Sequence, residues 1–353
     1  MNLTVNINIE SIHVASALSV PRPISLSRPS RVQVYVGLAL LLALSMLASL
    51  TLGYKVYSLD QVFTALFAHD GSETSVVIAG LRLPRALIAP LTGAALGMAG
   101  VLVQTLSRNR IASPDTLGLN AGASLAVVVA GIVFGVQSLA GLAMAASLGA
   151  FVTAIVVFGI AAGAGGLSPL KIVLVGVTFA SLSHAFVEVL LTSNEAMLQQ
   201  LLFWLSGAFV DRPIGLFYTA LPVVLVGGIV AVGLSRALDA LQADDATAQG
   251  LGVPLGLVRA LAFVAVAILT GAAISMAGPV AFVGLVVPHA ARGLVGLRHI
   301  HQLPAAALFG AVYATLADVA ARFVIYPVEA PVGAVTAVVG AITLVVLLRR
   351  RAA

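Results

Sequence analysis

Polar breaks divide this sequence into ten apolar runs, each close to the roughly 20 residues that an α-helix needs to cross a bilayer. Only 9% of the 353 residues are charged and 60% are hydrophobic, a composition far from that of soluble domains. The sequence therefore predicts an all-α membrane protein with about ten transmembrane helices. The predicted spans are 32–53, 85–107, 117–136, 139–162, 171–192, 216–236, 258–278, 280–297, 303–325 and 332–348.

The N-terminal segment differs from the rest of the chain. Residues 1–31 are polar and contain three prolines that block regular helix, so we expect a disordered cytoplasmic tail before a transmembrane domain at 32–351. A basic leader before an apolar run is also typical of a signal peptide. Here the leader is too long and no small-residue cleavage site follows, which favours a retained span. Between the first two spans, 54–81 is predicted to be a loop with one short helix.

The basic residues predict the orientation of the chain. With the N-terminus inside, thirteen of the 18 Lys and Arg residues fall in inner loops and tails, and five fall outside: Lys55, Arg82, Arg85, Arg212 and Arg322. Because cytoplasmic loops carry an excess of Lys and Arg, both termini are expected in the cytoplasm. These residues are spread over many short loops and form no patch, so the net charge of +5 does not indicate nucleic-acid binding.

Two segments of the sequence match each other. Residues 92–100 (TGAALGMAG) and 270–278 (TGAAISMAG) agree at seven of nine positions, although richness in Ala and Gly alone can produce such a match. In the predicted topology the two copies run in opposite directions, which is typical of an inverted repeat. Both copies carry small residues four apart, so close helix packing is expected.

The longest polar interruption is the stretch 235–259, which must lie outside the bilayer. Its apolar face is weak, and Gly250, Gly252 and Pro254 divide it into a short helix, a turn and the approach to the next span. A short bent helix between two halves of a membrane domain is suited to docking in a groove on another protein. A solvated loop with one helical turn is the alternative interpretation.

No catalytic or metal-binding pattern is present in the sequence. The only lysines, Lys55 and Lys171, are followed by Val and Ile, whereas a phosphate-binding P-loop needs Ser or Thr after its lysine. His289, His299 and His301 lie near arginines that would repel a divalent cation, and a surface loop accounts for His299 and His301. We therefore expect no catalytic residue, bound cofactor or metal ligand, and the chain has no cysteine.

Two ionisable pairs fall within predicted spans, where such residues are functional candidates. His184 and Glu188, and Asp318 and Arg322, are each four residues apart and therefore share a helix face. A proton- or sodium-coupled transporter would place such groups near the midplane. Glu188 and the 318/322 pair lie instead toward the outer ends of their spans, where the bilayer interface solvates them. For Asp318 and Arg322 a structural salt bridge is favoured, with lining of the outer mouth as the alternative.

Arg82 and Arg85 open the second span from the outside, against the positive-inside bias and on either side of Pro84. Together with Arg322 they indicate an outer surface for acidic residues of a soluble partner. Snorkelling to lipid phosphates is the alternative.

Longer motifs resemble one transporter family and cover nearly all of the chain after residue 35. Together they resemble the FecCD-type permeases of iron-siderophore, haem and vitamin B12 ABC importers. The motifs are RLPRALIAPLTGAALGMAGVLVQTLSRNRIASPDTLGLNAGA at 82–123, FWLSGAF at 203–209, AGPVAFVGLVVPHAAR at 277–292, LADVAAR at 316–322 and EAPVGAVTAVVGA at 329–341.

The resemblance implies a type II ABC importer permease with an inverted internal repeat, paired with itself or with a similar permease in the lipid bilayer. Two cytoplasmic ATPase subunits, which use ATP and Mg, would dock on coupling helices at about 235–255. A periplasmic or lipid-anchored siderophore-binding protein would dock outside. The implied residues are Leu241, Asp244, Asp245, Ala248, Leu251 and Gly252 for ATPase coupling, Arg82, Arg85 and Arg322 for binding-protein docking, and Leu167, Ser168, Pro169 and Gln104 for the inner gate or pathway.

The expected function is import of a bulky ferric siderophore across a bacterial inner membrane by a non-enzymatic permease, driven by ATP hydrolysed on partner subunits. Haem or vitamin B12 stays open as the cargo. A secondary transporter driven by protons or sodium is the alternative from another class, and the scarcity of midplane carboxylates and the stretch 235–259 both count against it.

Overall fold

The computed structural model describes residues 30–68, 71–164, 168–242 and 244–352, so the tail predicted at 1–31 lies almost wholly outside the described residues. Within them the chain forms fifteen α-helices. These are α1 (Arg31–Thr51), α2 (Leu59–Phe67), α3 (Glu73–Val77), α4 (Leu83–Leu106), α5 (Leu119–Phe134), α6 (Leu139–Gly163), α7 (Pro169–Thr192), α8 (Glu195–Leu205), α9 (Gly215–Gly233), α10 (Ser235–Leu241), α11 (Asp245–Gly250), α12 (Leu255–Ala277), α13 (Val283–Val295), α14 (His299–Val324) and α15 (Val332–Ala352).

Ten of these helices correspond to the ten predicted spans. Seven segments are long and apolar enough to cross a membrane, namely α1, the stretch from α3 through α4, α6, α7, α9, α12 and α14. Three shorter apolar helices complete the set: α5, α13 and the apolar part of α15 at Val332–Thr343. The protein is therefore a multi-pass, all-α membrane protein.

The connection between the first two spans contains more helix than predicted. Instead of one short helix it forms α2 and α3, and a π-helical turn at Ile78–Arg82 leads directly into α4. Ser58 caps α2 by accepting from the backbone of Gln61, and Ser72 caps α3 in the same way. One face of α2 packs with Tyr57 and Ile78 in a small buried apolar cluster, which stabilises these short helices.

The two copies of the repeat form the two most enclosed spans. In the most apolar window of α4, 83% of the residues are buried inside the chain, and in that of α12, 72%. The buried share of the corresponding window is only 22% in α1, 17% in α7 and 28% in α9, so these helices lie at the periphery of the chain. We call the end of the bundle where α4 begins the Arg85 end, and the end where α4 finishes and α12 begins the Asp245 end.

The helix contacts follow an inverted repeat. α4 packs against α14, and α12 packs against α6; likewise α5 packs against α6 and α7, and α13 packs against α14 and α15. Exchanging α4 with α12, α5 with α13, α6 with α14 and α7 with α15 preserves these contacts. Since α4 and α12 also run in opposite directions between the two ends, the sequence match at 92–100 and 270–278 reflects the architecture.

The close helix packing expected of both copies is fully present only in the first. A Cβ added at Gly93 would lie 2.0 Å from the carbonyl oxygen of Gly310, and one added at Gly310 would lie 2.2 Å from that of Gly93, so α4 and α14 touch backbone to backbone. At Gly271 the nearest atom would be 3.4 Å away, an ordinary contact distance. The second copy therefore packs less tightly on α6.

Candidate functional site

Asp318 is the centre of a buried ion network at the Arg85 end. Its fully buried carboxylate on α14 accepts from Arg85 Nε at 2.9 Å and from Arg322 Nη2 at 2.6 Å. Arg85 Nη1 also lies 2.7 Å from Glu329 Oε2, and the Glu329 side chain is 34% exposed. Two guanidinium groups thus face two carboxylates, and this pairing compensates for the loss of hydration.

Arg322 extends the network to the end of α1. Its guanidinium donates to the carbonyl oxygens of Ser49 and Leu52 at 2.7 Å each, and to Ser49 Oγ at 2.7 Å. The last carbonyls of a helix lack partners within the helix, so these bonds satisfy groups that burial would otherwise leave unpaired. The salt bridge predicted between Asp318 and Arg322 is confirmed, but the solvated location predicted for Asp318 is wrong, because α1, α4 and α14 enclose it.

Arg82 is held in a different way. Its guanidinium donates to the carbonyl oxygens of Leu50 and Thr51 at 2.8 Å each and to that of Lys55, and it lies 4.5 Å from the centre of the Tyr57 ring. No described carboxylate forms an ion pair with it. Its direct contacts are therefore with carbonyl dipoles and an aromatic face.

The three arginines predicted to dock a soluble partner are all buried. Arg82 and Arg85 are 8% exposed and Arg322 is 4% exposed, and each is bonded inside the protein. None of them presents an open guanidinium on the surface. Glu329 is the most exposed charged group of the network, so an acidic partner would meet a carboxylate at its rim.

Asp245 joins the polar stretch to both central helices at the Asp245 end. Its Oδ1 accepts from Arg108 Nη2 at 2.6 Å and from Arg259 Nη2 at 2.7 Å. Arg108 follows the last turn of α4, and Arg259 lies near the start of α12. The Arg259 hydrogen bond is the main reason that the pKa of Asp245 lies below its usual value of 3.8.

The polar stretch forms two short helices, α10 and α11; its Gly and Pro breaks predicted one helix, and the resemblance implied more than one. Asp244 caps α11 by accepting from Thr247 N at 2.7 Å, and this bond is the main cause that lowers the pKa of Asp244. The residues predicted to couple to an ATPase divide into two groups. Leu241 and Ala248 are buried and anchor the helices, while Asp244, Leu251 and Gly252 lie on the exposed side. Asp245 lies between these groups and makes the ion pairs.

A buried histidine fastens α10 to the bundle. The ring of His299, completely buried at the start of α14, lies 2.7 Å through Nδ1 from Asp239 Oδ1 and 2.7 Å through Nε2 from Thr105 Oγ1. The surface loop predicted for His299 is therefore wrong. Nothing in the local sequence separates His299 from His301, because the contacts that bury it come from two distant segments.

The residues predicted for the inner gate or pathway lie in different places. Leu167 is outside the described residues. Ser168 caps α7, accepting from Lys171 N, and Pro169 is the first residue of that helix. Gln104 lies instead inside the contact between α4 and α13, where its Nε2 is 3.4 Å from the carbonyl oxygen of Leu285 and its Oε1 accepts from an arginine of α13.

A cavity of about 670 Å³ lies among α5, α7, the loop after α8 and the segment before α13. Its size is in the range of small-molecule sites. His184, one of the two ionisable residues predicted on α7, lines this cavity, and no ion pair joins it to Glu188. Within the described part of the chain, no group of three or more His, Asp and Glu side chains could hold a metal ion. The lining residues are Ile111, Ser113, Asp115, Thr116, Asn120, Ser124, His184, Val187, Leu205, Ser206, Pro279, Ala281, Phe282, Leu285 and Gly333.

Comparisons with known proteins agree on one family. Residues 41–350 match the FecCD transport family. The chain is 37% identical over 320 residues to YfiZ of Bacillus subtilis (strain 168), named a probable siderophore transport system permease protein, covering 90% of this chain and 96% of YfiZ. It is also 37% identical over 316 residues to the ferric enterobactin transport system permease protein FepD of Escherichia coli (strain K12), covering 89% of this chain and 94% of FepD.

A solved structure has the same fold over nearly its whole length. It is described as an inward-facing conformation of a metal-chelate type ABC transporter, and it matches this chain with a TM-score of 0.80 at 31% identity, covering 90% of this chain and 99% of that one. The family match and these likenesses span the ten helices and both ends of the bundle. The chain therefore belongs to the FecCD transport family, whose members are transport subunits rather than enzymes.

Proposed function

We propose that this chain is the membrane-spanning subunit of an ABC importer that carries a ferric siderophore into the cell. The names of the relatives YfiZ and FepD support a siderophore as the cargo. The structural observation that carries the proposal is the pair α10 and α11. It offers an exposed polar surface and is bonded through Asp245 to the two central helices, as an element that transmits movement requires.

Two ATPase subunits dock on this element in the proposed assembly. Exposed Leu251, Gly252 and Asp244 form the contact surface, while buried Leu241 and Ala248 hold the element on the bundle. ATP and Mg are bound and used by the ATPase subunits alone. This division agrees with the absence of a P-loop from the sequence.

Movement passes from the ATPase subunits to the transport pathway through Asp245. When nucleotide closes the ATPase dimer, α11 shifts, and the ion pairs to Arg108 and Arg259 carry this shift to α4 and α12. Because α4 and α12 belong to opposite copies of the repeat, the two halves rock against each other and alternate the access of the pathway.

The proposed orientation places the Asp245 end and both termini in the cytoplasm and the Arg85 end outside. The excess of Lys and Arg at the cytoplasmic side supports it. A siderophore-binding protein, periplasmic or lipid-anchored, then docks at the Arg85 end, and its acidic residues meet Arg82, Arg85 and Arg322. Since these arginines are buried, docking must loosen part of their internal bonding. The permease pairs with a second copy or a similar permease in a bacterial inner membrane.

ATP hydrolysis in the assembled complex tests the proposal. The chain is reconstituted in vesicles with the ATPase subunits that co-purify with it and with the binding protein, and phosphate release is measured with and without ferric siderophore. We expect hydrolysis to rise when the loaded binding protein is added. Hydrolysis that never responds to loaded binding protein, in a complex of intact composition, would contradict the proposal.

A further inference from the structure

The cavity beside α5 and α7 has walls from four parts of the chain. The 3-10 turn Pro114–Leu117 contributes Asp115, α5 contributes Asn120, α7 contributes His184, and the segment before α13 contributes Phe282. The walls combine apolar and polar residues, as in sites that hold a ligand with both apolar and polar groups.

The charged residues of the cavity walls are acidic and not basic. Asp115 is the only carboxylate among the lining residues of the described chain, and no lysine or arginine is among them. His184 is the only other titratable side chain in the walls. A carboxylate that no cationic side chain of the wall balances attracts cationic groups and repels anionic ones, most strongly where water is scarce.

An unpaired hydrogen-bond acceptor in the wall also indicates a ligand that carries N–H or O–H donors. Asn120 Nδ2 donates to Asp115 Oδ1, which leaves Asn120 Oδ1 buried without a donor from any described residue. A buried acceptor without a partner is costly and is satisfied by water or a ligand. Burial raises the pKa of Asp115 to about 6, and the bond from Asn120 opposes this increase.

We propose that this cavity is a cargo subsite that accepts neutral or cationic ferric chelates carrying N–H or O–H donors and disfavours anionic chelates. The inference rests on the proposed function, because it assumes that ferric chelates pass this face of the permease. Asp115 supplies the charge, and Asn120 and the hydroxyl groups of the walls supply acceptors. The family match does not specify the charge of the chelate; the inference comes from the residues that line this cavity.

Trp204 provides a direct readout of binding. It is the only tryptophan in the chain, it is 4% exposed, and it directly precedes Leu205 and Ser206 of the cavity wall. The full-length chain in lipid vesicles is titrated with three gallium chelates, colourless counterparts of the ferric ones, while tryptophan emission is recorded. The probes are a tris-hydroxamate with a free ammonium group, a neutral tris-hydroxamate and a triply anionic tris-catecholate.

We expect the cationic probe to bind most tightly and the anionic probe least tightly. Asp115→Asn keeps an acceptor for Asn120 but removes the charge, so it should reduce the ratio of cationic to anionic affinity about tenfold. Asp115→Lys should reverse the order. Asp60→Asn, which removes an exposed carboxylate at the Arg85 end, should change nothing.

Three results would overturn the subsite: no change in emission with any probe, equal affinity for all three probes, or an unchanged ratio in a folded Asp115→Asn protein. The assay contains neither ATP nor an ATPase, so its outcome does not depend on whether the chain works in an ABC importer. If hydrolysis never responds to a loaded binding protein but the cationic probe still binds, the import proposal fails while the charge selection of the cavity stands.

Discussion

Individual charges at the Arg85 end are balanced over very short distances. Asp318 is completely buried and is bonded to Arg85 and Arg322, while Arg82 relies on backbone carbonyls and the ring of Tyr57. Removing one member of a buried ion network is more damaging than removing a surface charge, because the remaining charges stay buried without compensation. Each of these residues therefore has a distinct expected effect.

Asp318→Asn should strongly destabilise the protein. The substitution leaves Arg85 and Arg322 facing each other with one carboxylate fewer, and we expect the free energy of unfolding to fall by about 3–5 kcal/mol. Thermal unfolding of the purified protein in detergent measures the effect, with Asp60→Asn as the control at an exposed carboxylate. If both variants unfold at the same temperature, the network does not stabilise the fold.

Arg82→Gln tests the docking surface. Because the charge of Arg82 is matched by no described carboxylate, it is the arginine most able to serve an acidic partner, and its loss should weaken binding of the siderophore-binding protein roughly tenfold. Lys55→Gln removes an exposed cation at the same end and is the matched control. A variant that binds normally but unfolds at lower temperature would assign Arg82 a purely structural role.

In α10 and α11, local sequence patterns determine where the helices end, whereas distant contacts determine how they attach to the bundle. The caps and the breaks of this stretch follow from Asp244, Gly250 and Gly252, so its position outside the spans could be predicted. Its attachment could not, because Asp245 meets Arg108 and His299 meets Asp239 across 137 and 60 residues. Helix ends are local, whereas the partner of a polar side chain depends on the packed fold.

Asp245→Asn should uncouple hydrolysis from import. The variant loses both ion pairs to the central helices, so the ATPase subunits should still assemble and hydrolyse ATP while uptake of chelate per ATP falls several-fold. Asp60→Asn, which removes an exposed carboxylate at the opposite end of the bundle, is the control. Equal coupling in the two variants would contradict the role of Asp245.

The same ion pairs predict little dependence of coupling on pH. The pKa of Asp245 is lowered in the folded protein, so the stabilisation is fully present above the usual value of 3.8 and is lost only as pH falls through the lower, folded-state pKa. With a neutral chelate, whose binding does not depend on the charge of Asp115, uptake per ATP should therefore be equal at pH 7 and pH 5. A decline of coupling between those values would mean that another titrating group controls the element.

At the scale of the whole molecule, the ten spans and the inverted repeat could be predicted from apolar length and one nine-residue match, because both are local properties of the sequence. The cavity and the burial of the arginines could not. Asp115 lies inside the motif at 82–123, but it gains its surroundings only when α7, α13 and α15 meet there. The resemblance of the motifs supplied the functional class that composition alone could not.

The orientation of the whole molecule in the membrane can be tested with single introduced cysteines, because the chain has no cysteine of its own. Leu251→Cys, at a position 70% exposed on the Asp245 end, should react with an impermeant maleimide only from the cytoplasmic side. Glu73→Cys, on exposed α3 at the Arg85 end, should react only from outside. Labelling of both positions in intact cells, where only the outer side is accessible, would contradict the predicted topology.

Uptake of radiolabelled ferric siderophore distinguishes an ABC importer from an ion-coupled transporter, in vesicles that contain this chain, its ATPase subunits and the binding protein. Enclosed ATP is compared with an imposed proton or sodium gradient, using a non-hydrolysable nucleotide as the control. For an ABC importer we expect uptake that requires hydrolysable ATP and binding protein and does not respond to the gradient. Uptake driven by the gradient without ATP would contradict this expectation and would identify a secondary transporter.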